Sequence, residues 1–222
     1  MKKSIAVIGL GRYGMSIAKT LVESKCEVLA IDINKDNVAE ASKFVQNCLI
    51  CDSTKLEHLG EVGINNVNHV IVCIGKNVQA SILTLINLKE LGIEKISVRV
   101  DSEEYIKVML SLGATEVMFP ERDFGIDVAK RISIKNNTAI ESYFDLEGGY
   151  VHVKFKVDED FTPIKIKDAT PVKKFEVIVT LIIRDDKVFV PDDEEDEILP
   201  NDILYVVGKH AKVVKFEEYL NN

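Results

Sequence analysis

Ile5-Ala6-Val7-Ile8-Gly9-Leu10-Gly11-Arg12-Tyr13-Gly14 is the stretch that decides the fold. An apolar run meets three glycines spaced G-x-G-x-x-G, and beyond them Ile17 and Leu21 fall at helical spacing with Met15 and Ala18 alongside. Asp32 stands 18 residues past Gly14, at the end of the next apolar run. A strand, a glycine turn, a helix and a distal acid in that order form the fingerprint of a dinucleotide-binding cleft. Gly9 permits the tight turn, Gly11 lets the backbone approach a diphosphate, and Gly14 lets the helix pack on the sheet. The helix N-terminus then offers N–H groups and positive potential to phosphates. Asp32 is expected to accept ribose hydroxyls, and its charge disfavours a 2′-phosphate, so NADP is not the expected ligand. Without a ligand the same residues read as a glycine turn with Asp32 capping the next turn.

Outward from this stretch, residues 1–135 alternate short apolar runs with helical patterns. The expected strands are Ser4–Ile8, Glu27–Ile31, Cys48–Cys51, His69–Ile74, Lys95–Val100 and Glu116–Phe119. Most are continuous Val, Ile, Leu and Ala, as in strands covered on both faces. Helices are expected at about Tyr13–Glu23, Asp36–Phe44, Lys55–Glu61, Val78–Leu91, Glu103–Leu112 and Asp123–Ile134. Right-handed crossovers make this a doubly wound, Rossmann-type α/β sheet. Leu91-Gly92 and Leu112-Gly113 read as helix ends with a left-handed glycine. Asp101-Ser102, and Ser53 or Thr54, read as capping side chains for the helices that follow.

The C-terminal ends of such strands border the cleft. After the third strand, Asp52 can meet an adenine amino group and Ser53 can add a hydrogen bond, although both also suit a helix cap. After the fourth, in Ile74-Gly75-Lys76-Asn77, Gly75 lets a ligand come close and Asn77 can cap the next helix. Ile33 beside Asp32, Ile74, Tyr13 in the glycine loop, and Arg99 at the end of the fifth run complete the expected binding set. Arg12, exposed at the helix start, adds a full positive charge where a third phosphate would lie, or else is a solvated helix arginine.

Around Lys135-Asn136-Asn137-Thr138 the pattern changes, and residues 136–222 read as a smaller α+β domain. Its expected strands are Ala139–Leu146, Tyr150–Val157, Val177–Ile183, Lys187–Val190 and Asp202–Val207, closed by a helix at about Ala211–Tyr219. Tyr150–Val157 alternates with period two, which leaves one face wet.

Composition excludes several classes. An apolar fraction of 46% supports a buried core, and a net charge of −8 with scattered Lys and Arg argues against nucleic acid. No run reaches the roughly 18 apolar residues of a membrane span, and the short N-terminal run stops at a glycine rather than a cleavage site. A soluble, cytoplasmic chain is expected. Cys48 and Cys51 form one C-x-x-C, but they bracket Leu49-Ile50 in what reads as a buried strand, and no second Cys/His pair completes a zinc site. All four thiols (Cys26, Cys48, Cys51, Cys73) are expected to be reduced and buried. The acids from Asp192 to Glu197 lack the turn glycine of a calcium loop and read as solvated. His58, His69, His152 and His210 sit in no recognisable catalytic motif. An NAD-dependent oxidoreductase resembling the siroheme-type dehydrogenases is the competing reading; no enzyme activity is expected under the main one.

Gly9-Leu10-Gly11-Arg12-Tyr13-Gly14, Asp32-Ile33-Asn34, Cys51-Asp52-Ser53-Thr54 and Phe119-Pro120-Glu121-Arg122-Asp123 resemble the RCK (regulator of potassium conductance) subunits of Ktr/Trk potassium-uptake systems. From about residue 138 onward the chain resembles that family's small C-terminal domain. The resemblance implies a cytoplasmic ring, usually of eight subunits, docked beneath a membrane-embedded potassium-translocating protein and gating it as ATP or ADP (or NAD(H)) exchanges in the cleft. It implies that Arg12 reaches the terminal phosphate of ATP from a neighbouring subunit, and that Glu121 helps hold Mg2+ or another cation at the subunit interface. Glu121 also suits a helix start on charge alone. The small domain is implied to dimerise and, in some members, to bind cyclic di-AMP. Cys51 stands where many members have Gly or Ala, which tightens the adenine pocket.

Overall fold

In the computed structural model, residues 3–75, 77–134, 140–169, 175–191 and 196–221 are described. Lys76, the Lys135–Thr138 change of pattern, Ala139 and Asp192–Glu195 of the acidic run lie outside them. The chain divides into two compact units, Met1–Asp123 and Phe124–Asn222.

The first unit is built on six parallel strands: β1 (Ser4–Ile8), β2 (Glu27–Asp32), β3 (Asn47–Ile50), β4 (His69–Val72), β5 (Ile96–Arg99) and β6 (Glu116–Met118). They lie in the order β3-β2-β1-β4-β5-β6, the doubly wound order expected from the alternation. Between them run α1 (Arg12–Glu23), α2 (Lys35–Ala41), α3 (Leu56–Glu61), α4 (Val78–Glu90) and α5 (Glu104–Ser111), and α6 (Pro120–Ile134) starts after β6 and runs across the boundary into the second unit. The continuous apolar run of β1 has a simple cause. Ala6 and Ile8 enter one core with Leu59, Leu85, Leu88 and Ile96, while Ile5 and Val7 enter a second with Ala18, Val28 and Val38. A strand that feeds a core on each face has no side left for polar residues. Gly92 (φ +79°) and Gly113 (φ +99°) end α4 and α5 in the left-handed conformation, as their sequence context requires.

Three local expectations fail. Strand β3 is the sheet edge, so Leu49 and Ile50 are exposed rather than buried, and Cys48, like Cys26, is only partly covered. All four thiols are nonetheless free. Helix α3 begins after Lys55 with no side-chain cap, because Asp52, Ser53 and Thr54 are used in the loop before it. Helix α5 begins after Glu103, also without a side-chain cap, so Asp101 and Ser102 do not serve there.

The second unit holds β7 (Ile140–Asp145), β8 (Tyr150–Lys156), β9 (Ile164–Lys165), α7 (Ile166–Ala169), β10 (Val177–Arg184), β11 (Lys187–Phe189), β12 (Glu197–Ile198), β13 (Ile203–Lys209) and α8 (His210–Leu220). Five strands form an antiparallel sheet in the order β11-β10-β13-β8-β7. The period-two reading of β8 holds: Val151, Val153 and Phe155 are buried, and His152 and Lys154 are half-exposed. The buried row packs with Val206, Val213, Phe216 and Leu220, and the Phe155 and Phe216 rings meet edge to face at 6.2 Å. The β9–β12 pair and α7 are additions to the sequence reading, since two-residue strands and one helical turn carry no periodicity. Asp202, 1% exposed, is held by both the Nε and Nη2 of Arg184 at 2.7 Å and anchors the turn into β13.

A candidate nucleotide cleft

The strand order reverses between β1 and β4, and the loops leaving their C-terminal ends part there, the position at which doubly wound sheets open a crevice. A cavity of about 460 Å³ opens at this point. Gly9 and Gly11 from the β1 loop line it, with Asp32 at the end of β2 and Ile33 just after it, Asp52 and Ser53 after β3, and Ile74, Gly75 and Asn77 after β4. Nine residues expected from sequence thus share one space.

The three fingerprint glycines do three different jobs. Gly9 has φ +93°, and a Cβ there would press on the Cys73 backbone at 3.0 Å. A Cβ at Gly14 would fall 1.9 Å from the Gly9 carbonyl oxygen, so only glycine lets α1 sit this close to the turn. Gly11 has no atom within 4 Å of its would-be Cβ and an ordinary φ of −67°. Packing within the unit therefore does not require a glycine there.

Asp32 is 9% exposed and closes the glycine loop onto β2. Its Oδ2 accepts from the Leu10 backbone N–H at 2.6 Å and from Asn37 Nδ2 at 3.1 Å; its Oδ1 accepts from the Asn34 N–H at 2.7 Å. The capping role and the cleft-lining position coexist. Asp52 is partly exposed; its Oδ1 accepts from the N–H (3.0 Å) and hydroxyl (2.6 Å) of Thr54, which holds its carboxyl below the usual range. The Ser53 hydroxyl pairs with Thr84 Oγ1 at 2.8 Å, and Asn77 caps α4 by accepting from the Ala80 N–H at 3.0 Å.

A second hollow of about 540 Å³ adjoins the first, sharing Gly11, Cys73 and Gly75 with it, and is further lined by Arg12, Tyr13, Arg99 and Glu121. Arg99 forms an ion pair with Glu121 and lies over the Tyr13 ring at 5.7 Å. Its guanidinium also crosses Gly75, where a Cβ would come within 1.8 Å of a terminal nitrogen. The Arg99 Nε is buried with no hydrogen-bond partner among the described residues. Tyr13 donates to Met118 Sδ at 3.8 Å. Glu121 therefore has Arg99 as its partner, and among the described residues no group of three or more His, Cys, Asp or Glu is placed to hold a metal.

Sequence reasoning missed Cys73, Ala80 and Ile8 as cavity lining and treated Cys51 and Thr54 only in passing. Cys73 borders both hollows, and burial pushes its thiol up to about 12. Adjacency to Ile74-Gly75 was the one available signal. His69, which bonds Ser97 Oγ at 2.8 Å, and His152, beside Tyr205, lie outside both hollows. No helix of the described residues is long and apolar enough to cross a membrane.

Comparison with known proteins fits this geometry. Residues 5–120 match the TrkA-N domain family and residues 155–221 the TrkA-C domain family. The Ktr system potassium uptake protein C of Bacillus subtilis (strain 168) is 37% identical over 218 residues, spanning 98% of this chain and 97% of that protein. Protein A of the same system and organism is 34% identical over 215 residues, spanning 97% and 96%. Among solved structures, the GsuK channel bound to NAD superposes with a TM-score of 0.61 at 13% identity, covering 99% of this chain but 39% of that one, a likeness of fold. The chain belongs to the family that joins a TrkA-N domain to a TrkA-C domain, the family of the Ktr potassium uptake proteins.

Proposed function

We propose that this chain is the nucleotide-binding regulatory subunit of a potassium-uptake system, working by ligand linkage and not by catalysis. The observation that carries the proposal is the cavity at the strand-order reversal, lined by Gly11, Asp32 and Asp52, in a chain similar over nearly its whole length to Ktr potassium uptake proteins. In this reading residues 1–135 bind the ligand and residues 136–222 form a smaller regulatory, dimerising domain. Copies assemble into an octameric ring beneath a membrane-embedded potassium-translocating partner, at the cytoplasmic face.

The chemistry of the cleft suits an adenosine phosphate. The bare backbone at Gly11 and the N-terminus of α1 receive the diphosphate, Asp32 the ribose, and Asp52 the exocyclic amino group of adenine. Exposed Arg12 and half-buried Arg99 supply positive charge beyond the diphosphate, so ATP and ADP meet different fields. NAD(H) satisfies the same adenosine contacts. Cyclic di-AMP in the small domain and a cation at Glu121 follow from the family resemblance alone; Glu121 would meet a cation on leaving Arg99. A ligand shifts the ring between two shapes only by its difference in affinity for them.

Calorimetric titration of ATP, ADP, AMP, NAD and NADH, with light scattering to follow assembly, tests this. ATP and ADP bind an octamer, and Arg12→Ala weakens ATP about tenfold, or about 1.4 kcal/mol, while ADP changes little. Equal losses for the two nucleotides remove Arg12 from the reading. Tight binding of NAD(H) alone to a small dimer replaces the reading with the dehydrogenase.

A further inference from the structure

Helix α4 carries Ser81, Thr84 and Asn87 at three-residue spacing, the last of them partly exposed. Ser81 is 1% exposed and Thr84 is 0% exposed. Buried hydroxyls are costly unless bonded, so their partners say what they are for. All three reach loops of the cleft. Ser81 Oγ donates to the Ile74 carbonyl at 2.8 Å, Thr84 Oγ1 pairs with Ser53 Oγ at 2.8 Å, and Asn87 Nδ2 donates to the Ser53 carbonyl at 3.1 Å. Leu85 and Leu88, both fully buried, already supply the packing of α4. Apolar residues at Ser81 and Thr84 would bury as well, so these hydroxyls are in excess of what the core needs.

The consequence falls on Asp52. Its Oδ1 is taken by Thr54, while its Oδ2 has no hydrogen bond among the described residues. The adjoining Ser53 is held through both its hydroxyl and its carbonyl. We infer that Thr84 is a positioning residue for the base end of the site: it fixes Ser53, and through it aims the free Asp52 oxygen at the ligand's base. This rests on the nucleotide reading above. An ionised carboxylate only accepts hydrogen bonds. Held in place opposite the 6-position of the base, it favours the 6-amino group of adenine and repels the 6-carbonyl of guanine, whose own donors (N1–H and the 2-amino group) lie further along the ring edge. A loosened loop lets the carboxylate turn aside, and the discrimination goes with it.

The test titrates AMP and GMP by calorimetry into the full chain, as wild type, Thr84→Val, Thr84→Ser and Ser53→Ala, with a melting temperature for each. The wild type is expected to prefer AMP by more than about tenfold, the scale of one lost hydrogen bond to a charged group. Thr84→Val and Ser53→Ala lose about tenfold in AMP affinity and most of the preference. Thr84→Ser, which keeps the hydroxyl, restores both. A wild type that binds neither nucleotide overturns the nucleotide reading itself. A wild type that prefers AMP, with Thr84→Val equally selective or Thr84→Ser equally impaired, overturns the positioning role alone. Should Thr84→Val fail to fold, Ser53→Ala decides: an unchanged AMP/GMP ratio overturns the inference, and a collapsed ratio supports it.

Discussion

Replacing Gly14 and Gly11 by alanine, one at a time, separates what the glycine fingerprint does for the fold from what it does for a ligand. At Gly14 the new methyl would lie 1.9 Å from the Gly9 carbonyl oxygen and 3.1 Å from Cys73 Cβ. The obstacle is backbone, so α1 must retreat from the turn by about 1 Å, an overpacking strain of about 3 kcal/mol, at the upper end of the usual range. For a chain of this length each kcal/mol shifts the melting temperature by about 2–4 °C, so Gly14→Ala should melt about 6–12 °C lower. At Gly11 the methyl meets nothing, and φ −67° suits any residue. The gain from a stiffer unfolded chain, about 0.4–1 kcal/mol, nearly cancels the loss of a favoured N-cap residue. Gly11→Ala should therefore melt within about 2 °C of wild type. Its methyl stands in the cavity at the start of α1, where a diphosphate would touch the backbone, and should weaken ADP by at least about tenfold. Thermal melts and calorimetry on both variants decide the matter. Equal melting losses, or wild-type ADP binding by Gly11→Ala, would refute this division of labour.

Further expectations concern single groups. Asp32→Ala leaves the buried Leu10 N–H without its acceptor and should cost about 2–3 kcal/mol while impairing every ribose-bearing ligand; unchanged affinity would refute the assigned pocket. In native protein at pH 8 a thiol reagent should label partly exposed Cys26 well before Cys73, whose thiol burial pushes up to about 12; labelling at similar rates would contradict that burial. Burial, reinforced by Lys95, lowers the His69 imidazole from its ordinary 6.5, so the unfolded chain takes up a proton at a higher pH than the folded one. Acid therefore favours unfolding as pH falls below 6.5, and His69→Gln should flatten that decline in chemical denaturation series; superimposable profiles would clear His69 of the role.

Local order was highly legible wherever one side chain sufficed to read it. The run Ile5–Ile8, the helical spacing of Ile17 and Leu21, and the glycines after Leu91 and Leu112 all place elements within a residue or two of where they lie. Reading failed where neighbours decide. Leu49-Ile50 looks like any buried pair, but β3 is the sheet edge, and edge position belongs to the strand order and not to the strand. Asp101, Ser102, Ser53 and Thr54 have the chemistry of helix caps, yet their helices start two or three residues further on, after Lys55 and Glu103. In Ser53 the hydroxyl goes instead to Thr84, 31 residues away.

The candidate site divides in the same way. That a glycine turn of G-x-G-x-x-G spacing and an acid at the end of the next strand occur together follows from spacing alone, because both lie within a single βαβ unit. Which residues from other units join them is a matter of long-range placement. The parallel sheet brings Arg99 and Glu121 together from β5 and α6 and lays the guanidinium across Gly75. It sets Cys73 between two hollows and turns the polar stripe of α4 onto the loops of the cleft. No local pattern encodes these contacts, since each arises from packing elements whose own sequences would look the same in a sheet of another order. The sequence by itself determined the elements and the chemistry of the turn; the tertiary structure alone decided which distant side chains meet there.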